Sequence, residues 1–503
     1  MLRIALHLVV HLAWMLAAMI LLVVGLASLA NAAPMPAAIV VQDRTVLRST
    51  ARDSGQEQAV LWQGETVEVR GERLDYLQIY DHRRERAGFV RASEVRRVDL
   101  TPEAAPELLS VVRFLRDTVG SEALGIAFAA AYIEVAPGDV LPGPDGIDAI
   151  DALATMADRL ARQASSGIQR TKAASEALAA HLEAAARYGV NFASYEHDGR
   201  MVVCYDGDAH RRVIAMRSSA EQRARAALAL IRPACFDREP SPSERYRADA
   251  WRADVLDRVD ASKLPGYLKN RIAMARANVW ASLAYQRARM DESANAAAQR
   301  ALAELAAVDT TQLTDVDLAA YNDAAMRVGA SRWAAASAAA PPTRNPQIVA
   351  RRGQLGETCI ELIEVRAESR KQLAKRCTYG IVWINSATLN REGNALALAV
   401  QPMEGWREIW VFRKDAGGWT IRVLPPAATD PNLGYIEFAG WIPGGKEVLV
   451  AREARGEGKY KRSFEVLSLD TLAADRQASD PRNLSAFKRW QDPMWRRDTV
   501  SVR

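Results

Sequence analysis

Hydrophobic positions follow four successive patterns along the chain. A continuous apolar run extends from Ile4 to Leu29, and short alternating runs separated by turns fill residues 38–98. Apolar residues then recur every three or four positions over residues 101–336, which is typical of helices that bury one face. Over residues 348–503 the runs become short and β-like again. The pattern predicts a multidomain α+β protein with a helical middle domain between two β regions.

The apolar run from Ile4 to Leu29 predicts export. Arg3 precedes the run, and Ala30-Asn31-Ala32 supplies the small-x-small pattern of a cleavage site. Residues 1–32 are therefore predicted to be a signal peptide. The run is also long enough to span a bilayer, so an uncleaved membrane anchor is the alternative. The rest of the chain is predicted to be periplasmic or secreted, or else tethered to the inner membrane through residues 4–29 and facing the periplasm.

Residues 38–98 contain short β-rich runs separated by turns, at a spacing that is typical of a small barrel. The clearest runs are Val46-Leu47-Arg48, Ala59-Val60-Leu61, Thr66-Val67-Glu68-Val69, Tyr76-Leu77-Gln78-Ile79 and Gly88-Phe89-Val90.

The order of these runs resembles the bacterial SH3-like domain family, whose pattern has a Val-Arg-Ser strand end, a Lys-Gly-Asp turn before a Val-x-Val strand, and a closing Gly-Trp-Val. The matching pieces here are Leu47-Arg48-Ser49, Gly64-Glu65 before Val67-Glu68-Val69, and Gly88-Phe89-Val90. The resemblance implies a small SH3-like β-barrel that binds a peptide or peptidoglycan. Tyr76, Tyr80 and Phe89 are the candidate ligand-binding residues, and packing of these rings in the barrel core is the alternative.

Residues 101–336 are predicted to form an α-helical domain. Thr101-Pro102 offers an N-cap followed by proline in the first turn, and apolar residues recur at helical spacing from Leu108 onward. Residues 280–285 faintly resemble a tetratricopeptide helix, but no second copy follows at that period, so stacked helix hairpins are the prediction. A β-hairpin insertion is predicted near residues 190–205.

Residues 337–347 are predicted to be a linker, and a β-rich domain is predicted over residues 348–503. The linker is low in complexity and contains Pro341-Pro342 and Pro346. Two later segments, 389–398 and 441–450, each place a glycine-containing turn before an apolar strand. This resembles the strand-turn signature of TolB-type β-propeller blades. Because the stretch has room for only about two or three blades, we predict a propeller-like antiparallel sheet that is incomplete within this chain.

The four cysteines form two pairs that are close in sequence, Cys204 with Cys235 and Cys359 with Cys377. An even number of cysteines in an exported chain predicts two disulfides. Zinc binding is the alternative, but no Cys-x-x-Cys and no histidine at ligand spacing supports it. We therefore expect the bridges to stabilise the fold, each by about 3 kcal/mol.

Composition and charge argue against nucleic acid as a partner. The chain is 49% hydrophobic and 25% charged, which is ordinary for globular protein. After residue 32 it contains 65 basic and 61 acidic residues, and no basic run is interleaved with aromatic residues.

No catalytic or cofactor-binding motif is recognisable in the sequence. The histidines after residue 32 are His82, His181, His197 and His210, and none lies in a His-Glu-x-x-His motif. Gly-x-Ser-x-Gly, P-loop and dinucleotide-binding glycine motifs are absent too. The strongest cluster of candidate metal ligands comprises His197, Asp198, Asp206, Asp208 and His210, but Asp206-Gly207-Asp208 is more simply a turn. We predict no cofactor and no metal.

Three functional hypotheses follow from the sequence. The first is an exported, non-enzymatic envelope protein that binds a cell-wall component or another envelope protein, with the SH3-like domain binding a peptide or peptidoglycan. The second is a cell-wall or metal-dependent hydrolase with an unrecognised active site. The third is an anchored assembly or sensor subunit, which requires that the N-terminal segment is retained.

Overall fold

The computed structural model describes residues 36–166, 171–197, 199–236, 240–336, 345–366, 369–428 and 432–498. The predicted signal segment and most of the predicted linker lie outside these ranges. No helix in the described ranges is long and apolar enough to cross a membrane. The described residues form a mixed α+β protein with an N-terminal β region, a helical middle and a C-terminal region of antiparallel sheet, as the hydrophobic pattern predicts.

The chain divides into two compact units. The first comprises Met1–Ser218 with Pro233–Phe236, and the second comprises Ser219–Arg232 with Asp237–Arg503. The division falls inside the region of helical periodicity. The helices before it therefore belong with the N-terminal sheet, and those after it belong with the C-terminal sheets.

The first unit combines a seven-stranded sheet, a hairpin and a group of helices. Its described strands are β1 (Ala37–Val40), β2 (Thr45–Arg48), β3 (Glu57–Leu61), β4 (Thr66–Arg73), β5 (Tyr76–Asp81), β6 (Arg86–Arg91), β7 (Val95–Val98), β8 (Phe192–His197) and β9 (Arg200–Tyr205). Its described helices are α1 (Ala105–Arg116), α2 (Glu122–Val135), α3 (Pro144–Ser165), α4 (Lys172–Arg187) and α5 (Asp208–Ala215).

The N-terminal sheet has the strand order β3-β2-β6-β5-β4-β1-β7. Each strand contributes aliphatic side chains to one core, which includes Leu47, Leu77, Ile79 and Val90. A Cβ added to Gly88 would lie 2.8 Å from the Arg48 carbonyl oxygen, so glycine allows β6 to approach β2 closely. In the described residues β3 and β7 are edge strands that do not pair with each other, so the sheet is not a closed barrel. The SH3-like assignment stays a prediction from its motifs.

A buried carboxylate connects the N-terminal sheet to α4. Glu65 is 2% exposed and accepts hydrogen bonds from Arg84 Nη1 (3.0 Å) within the sheet and from Arg187 Nη2 (3.3 Å) at the end of α4. Next to it, the Tyr188 hydroxyl donates to the Gly64 carbonyl oxygen (2.7 Å). Because both arginines neutralise one buried charge, the helix is held at a fixed position on the sheet.

The hairpin of β8 and β9 lies within the span predicted for an insertion. Its strands pair antiparallel from Phe192↔Tyr205 to His197↔Arg200. Both predicted disulfides are present: Cys204 at the end of β9 is bonded to Cys235, with a Cα separation of 5.7 Å, and Cys359 is bonded to Cys377 in the second unit. The first bridge ties the hairpin to a segment that lies 31 residues further along the chain.

The second unit packs helices against antiparallel strands. Its described helices are α6 (Ala220–Leu230), α7 (Pro242–Asp257), α8 (Gly266–Arg289), α9 (Asn295–Ala306), α10 (Asp315–Ser331), α11 (Ser485–Trp490) and α12 (Pro493–Asp498). Its described strands are β10 (Gln347–Arg352), β11 (Thr358–Arg366), β12 (Ser369–Thr378), β13 (Ile381–Leu389), β14 (Ala395–Met403), β15 (Trp406–Asp415), β16 (Gly418–Leu424), β17 (Leu433–Ile442), β18 (Glu447–Gly456), β19 (Lys459–Ser468) and β20 (Ala474–Ala478).

The strands of the second unit form two antiparallel meanders and a separate small sheet. The first meander is β13 to β16 and the second is β17 to β20, and they meet where β15 and β17 run parallel at Trp406↔Gly434 and Arg407↔Tyr435. The small sheet has the order β10-β11-β12, and Cys359 and Cys377 lie directly opposite each other in it. Within the described strands the arrangement is an antiparallel sheet region, and a propeller stays a prediction.

A buried cluster of charges joins the last helix of the helical region to the meanders. Arg407 (0% exposed), Glu437 (1%) and Arg332 (7%) form this cluster. Arg332 binds both carboxylate oxygens of Glu437, through Nε (2.6 Å) and Nη2 (2.9 Å), and Arg407 Nη2 also donates to Glu437. Arg407 Nη1 donates to the carbonyl oxygen of Gly329 near the end of α10 (2.6 Å). These bonds connect α10, β15 and β17, which are distant in sequence.

Candidate functional site

The three predicted ligand-binding aromatic residues lie on one face of the N-terminal sheet. Along β5, Tyr76, Gln78 and Tyr80 alternate with Leu77 and Ile79, which are buried in the aliphatic core. Successive side chains of a strand point to opposite faces, so the two tyrosines lie on the face away from that core.

Phe89 lies on the same face because it pairs with Gln78 across β5 and β6. None of the three rings belongs to the aliphatic core, so packing within it does not explain them. We term this surface the outer face and define it by Glu68, Arg70, Tyr76, Gln78, Tyr80, Phe89 and Arg91.

One end of the outer face is organised around Tyr80. The Arg70 guanidinium carbon lies 3.9 Å from the centre of the Tyr80 ring, a cation–π contact, and Arg70 Nε donates to Glu68 (3.0 Å). His82 packs edge-on against the same ring at 4.8 Å and bonds Glu68 through Nε2 (2.7 Å). Hydrogen bonds from Arg70, and then from His82, lower the pKa of Glu68, so this carboxylate is ionised at neutral pH.

The other end of the outer face is organised around Tyr76. Its hydroxyl donates to Asp53 Oδ1 (2.6 Å), and Arg91 lies with its guanidinium carbon 5.4 Å from the ring centre. Arg91 also binds Asp53 and Asp75, the latter at 3.0 Å. Hydrogen bonds from Tyr76 and then Arg91 lower the pKa of Asp53, and the bond to Asp53 raises the pKa of Tyr76. Because Tyr76 is only 3% exposed, its ring offers little surface to a ligand, and its role is to hold Asp53 and Arg91 in position.

Phe89 and Gln78 lie between the two tyrosine groups. Phe89 is half-buried and Gln78 is exposed. Phe89 of β6 pairs with Gln78 of β5 on one side and with Arg48 of β2 on the other. Diagonal neighbours on one face of an antiparallel pair are about 7–8 Å apart, so a ligand segment of a few residues is long enough to contact both ends. The arrangement offers stacking surface at its centre and amide and charged groups around it.

The outer face is electrically balanced. Its two arginines are paired with carboxylates: Arg70 with Glu68, and Arg91 with Asp53 and Asp75. The adjoining Arg48 is paired with Glu57. Such a surface has no net attraction for a polyanion. It matches a ligand that carries both signs of charge.

The candidate metal cluster of the hairpin is dominated by turn geometry. Gly207 has φ 82°, and Asp206 Oδ1 accepts a hydrogen bond from the Asp208 backbone N–H (3.0 Å), as a turn predicts. His210 is buried beside Tyr205. Asp198 and the His197 side chain lie outside the described residues. The group of candidate ligands found in the described ranges is Glu357 with Cys359 and Cys377, whose sulfurs are joined in a disulfide.

The C-terminal tryptophans differ in exposure. Trp495 is 5% exposed and packs with Phe464 and Phe487 in a core cluster. Trp490 is 42% exposed. The difference arises because α12 turns Trp495 towards β17 and β19, a contact that local sequence does not specify.

The charged partners of the aromatic residues were not predicted from the sequence. Glu68 and Arg70 belong to the strand paired with β5, and Asp53 lies in the loop between β2 and β3. Arg70 and Tyr80 share a face only once the register Glu68↔Tyr80 is known. Comparison of the chain with known protein families, curated proteins and solved structures finds no match.

Proposed function

We propose that this protein is an exported, non-enzymatic binding protein of the cell envelope, whose N-terminal sheet binds a peptide component of the cell wall or peptidoglycan itself. The observation that carries the proposal is the outer face, where Tyr80 and Phe89 lie beside paired arginines and carboxylates on the side opposite the core. Surface aromatic residues with fixed charged neighbours are typical of recognition sites.

The charge pattern of the outer face favours a peptide ligand over a polyanion. Arg70 and Arg91 are already paired with carboxylates, so neither has a free charge for a phosphate-rich polymer. Wall peptides carry amides, ammonium groups and carboxylates together, which match alternating cations and acids. Phe89 then supplies an apolar contact for the ligand backbone or an alkyl side chain.

The disulfides support the proposed location. Cys204–Cys235 and Cys359–Cys377 account for all four cysteines, and such bonds persist in oxidising compartments. A periplasmic or secreted location, with cleavage or retention of the N-terminal segment, is therefore part of the proposal.

The second unit has the role of a scaffold in this proposal. Its strands form two four-stranded meanders and one three-stranded sheet. Helices of the same unit pack on β15, β17 and β18, and we propose that the outward faces of these helices offer further surface for a partner protein.

Retention on purified cell-wall sacculi tests the proposed function. The chain from Ala33 onward and two variants, Phe89→Ala and Phe114→Ala, are incubated with sacculi and sedimented. Phe114 in α1 is 72% exposed and lies outside the outer face, so its variant is the matched control. We expect Phe89→Ala to weaken retention about tenfold and Phe114→Ala to leave it unchanged. Equal retention of all three chains would contradict the proposal.

A further inference from the structure

Two buried side chains of the second unit have hydrogen-bond donors without an acceptor. Gln401 in β14 and Arg407 in β15 are both 0% exposed. In the part of the chain that the structure describes, Gln401 Nε2 and Arg407 Nε have no hydrogen-bond partner. A buried donor without an acceptor destabilises a fold, and a charged donor does so more strongly, so such groups usually bind an ordered water or an ion.

The two donors belong to neighbouring positions on one face of the sheet. In the pairing of β14 with β15, Gln401 and Arg407 lie next to the pair Val400↔Glu408, opposite each other where the register shifts. Because side chains alternate along a strand, both lie on the face opposite to that pair. Residues that face each other across two strands have Cβ atoms about 4.5–5.5 Å apart, so one small ligand is able to contact both side chains.

The orientation of the Gln401 amide is fixed by Trp383. An indole nitrogen is a donor only, and Trp383 Nε1 donates to Gln401 Oε1 (3.2 Å). Exchanging the amide oxygen and nitrogen would place two donors against each other. Gln401 Nε2 is therefore a donor at this position, and its partner must be an acceptor.

The charge of Arg407 is only partly balanced by the protein. Arg407 Nη2 donates to Glu437, but Arg332 binds both oxygens of the same carboxylate, at 2.6 and 2.9 Å. Glu437 thus shares one negative charge between two guanidinium groups. Arg407 Nη1 donates to the carbonyl oxygens of Gly329 and Ala330, which carry no net charge. Burial lowers the pKa of Arg407 even though the charge of Glu437 raises it, so the shared carboxylate does not compensate for the lost hydration.

We propose that Gln401 Nε2 and Arg407 Nε bind a small monovalent anion, such as chloride, in the interior of the second unit. An anion accepts hydrogen bonds from both donors and supplies negative charge beside Arg407. Water is the alternative occupant, but it adds no charge and needs acceptors for its own two protons. Because both residues are fully buried, the anion binds the folded unit only and stabilises it. The site lies in the second unit, so the proposal is independent of the wall ligand of the outer face.

The chloride dependence of unfolding tests the proposal. The chain from Ala33 onward is unfolded with urea, and tryptophan fluorescence follows the transition of the second unit. Chloride is varied about a thousandfold, up to about 1 M, because a ligand of the folded state acts above its Kd. Sodium gluconate keeps the ionic strength constant, since gluconate is too large for a buried site. We expect the unfolding equilibrium constant to fall about tenfold for each tenfold rise in chloride above the Kd.

Two substitutions of the same kind locate the site. Gln401→Glu places a carboxylate beside Arg407 and so takes the place of the anion. We expect the unfolding constant of this variant to change less than about twofold over the same chloride range. Gln477→Glu makes the same substitution at an exposed position of β20 and is expected to keep the wild-type chloride dependence. The circular dichroism of both variants shows whether they fold.

Diffraction provides a test that needs no variant. Crystals of the wild-type chain grown with bromide in place of chloride are expected to show an anomalous peak within hydrogen-bond distance of Gln401 Nε2 and Arg407 Nε. Density without an anomalous signal at that place would identify a water molecule and overturn the proposal. Wild-type unfolding that does not depend on chloride, or an equal dependence in Gln401→Glu, would overturn it as well.

Discussion

Replacing Glu437 by glutamine removes the one negative charge that Arg332 and Arg407 share in the buried cluster of the second unit. Glutamine keeps the size of the side chain and one acceptor oxygen. It removes the counter-charge of Arg407, which is 0% exposed, and one carboxylate partner of Arg332, which is 7% exposed. The perturbation therefore isolates the electrostatic part of the contact between α10 and the meanders.

The expected loss of stability is large because both arginines stay buried. Removing one partner of a buried ion pair costs about 3–5 kcal/mol, against about 0–1 kcal/mol for an exposed pair. Burial raises the pKa of Glu437, but Arg332 and Arg407 together lower it below the ordinary value. A lowered pKa means that Glu437 contributes stability above about pH 4.3, and that this contribution is lost as the pH falls through its folded-state pKa.

Urea unfolding followed by tryptophan fluorescence measures the effect, since seven of the twelve tryptophans lie at or after residue 383. The control is Glu447→Gln, which removes an exposed partner of Arg476 (2.9 Å) in the same unit. We expect Glu437→Gln to destabilise the second unit by about 3–5 kcal/mol and Glu447→Gln by less than about 1 kcal/mol. Equal losses, or a loss below about 1 kcal/mol for Glu437→Gln, would refute the argument that this cluster holds the helices on the sheet.

Three further predictions concern the fold. Gly88→Ala is expected to destabilise the first unit by about 1–3 kcal/mol, because the added Cβ would lie 2.8 Å from the Arg48 carbonyl oxygen. The control is Gly138→Ala, whose added Cβ would have no atom within 4 Å, and it is expected to leave stability unchanged. Thermal unfolding of the two variants compares them. Replacing Cys204 and Cys235 together by alanine is expected to cost about 3 kcal/mol in chemical unfolding, and an unchanged midpoint would refute a stabilising role. Burial raises the pKa of Asp43, but the hydrogen bond (2.7 Å) and charge of His181 lower it overall. His181→Gln is therefore expected to raise the pKa of Asp43 in an NMR titration. The wild-type protein is expected to lose stability as the pH falls below about 4, and the variant is expected to lose less over the same range.

Local patterns predicted the elements but not their association. Periodicity over residues 101–336 predicts helices, and alternation around residues 76–80 predicts a strand with two different faces. The division of the helices between two units depends on contacts such as Glu65 with Arg187 and Arg332 with Glu437, which are 122 and 105 residues apart. No periodic signal accompanies such an ion pair, because only one residue of each segment takes part.

The candidate site was predictable only in its aromatic residues. Tyr76, Tyr80 and Phe89 are visible as β-rich positions near turns, but their common face follows from the register Gln78↔Phe89, which the turn geometry sets. Arg70 and Arg91 are two of many arginines in the chain, and nothing in their local sequence separates them from the others. The different roles of Tyr76, which is hydrogen-bonded to Asp53, and Tyr80, which packs against Arg70, also require the structure.

Hydrogen–deuterium exchange of the chain from Ala33 onward, with and without soluble wall peptide fragments, tests the central claim most directly. The account predicts that saturating fragment slows exchange in β5 and β6, around Gln78 and Phe89, and leaves the second unit unchanged. The protection is expected to disappear in Phe89→Ala. Protection elsewhere in the chain, or none in β5 and β6 at saturating fragment, would contradict the assignment of the outer face as the binding site.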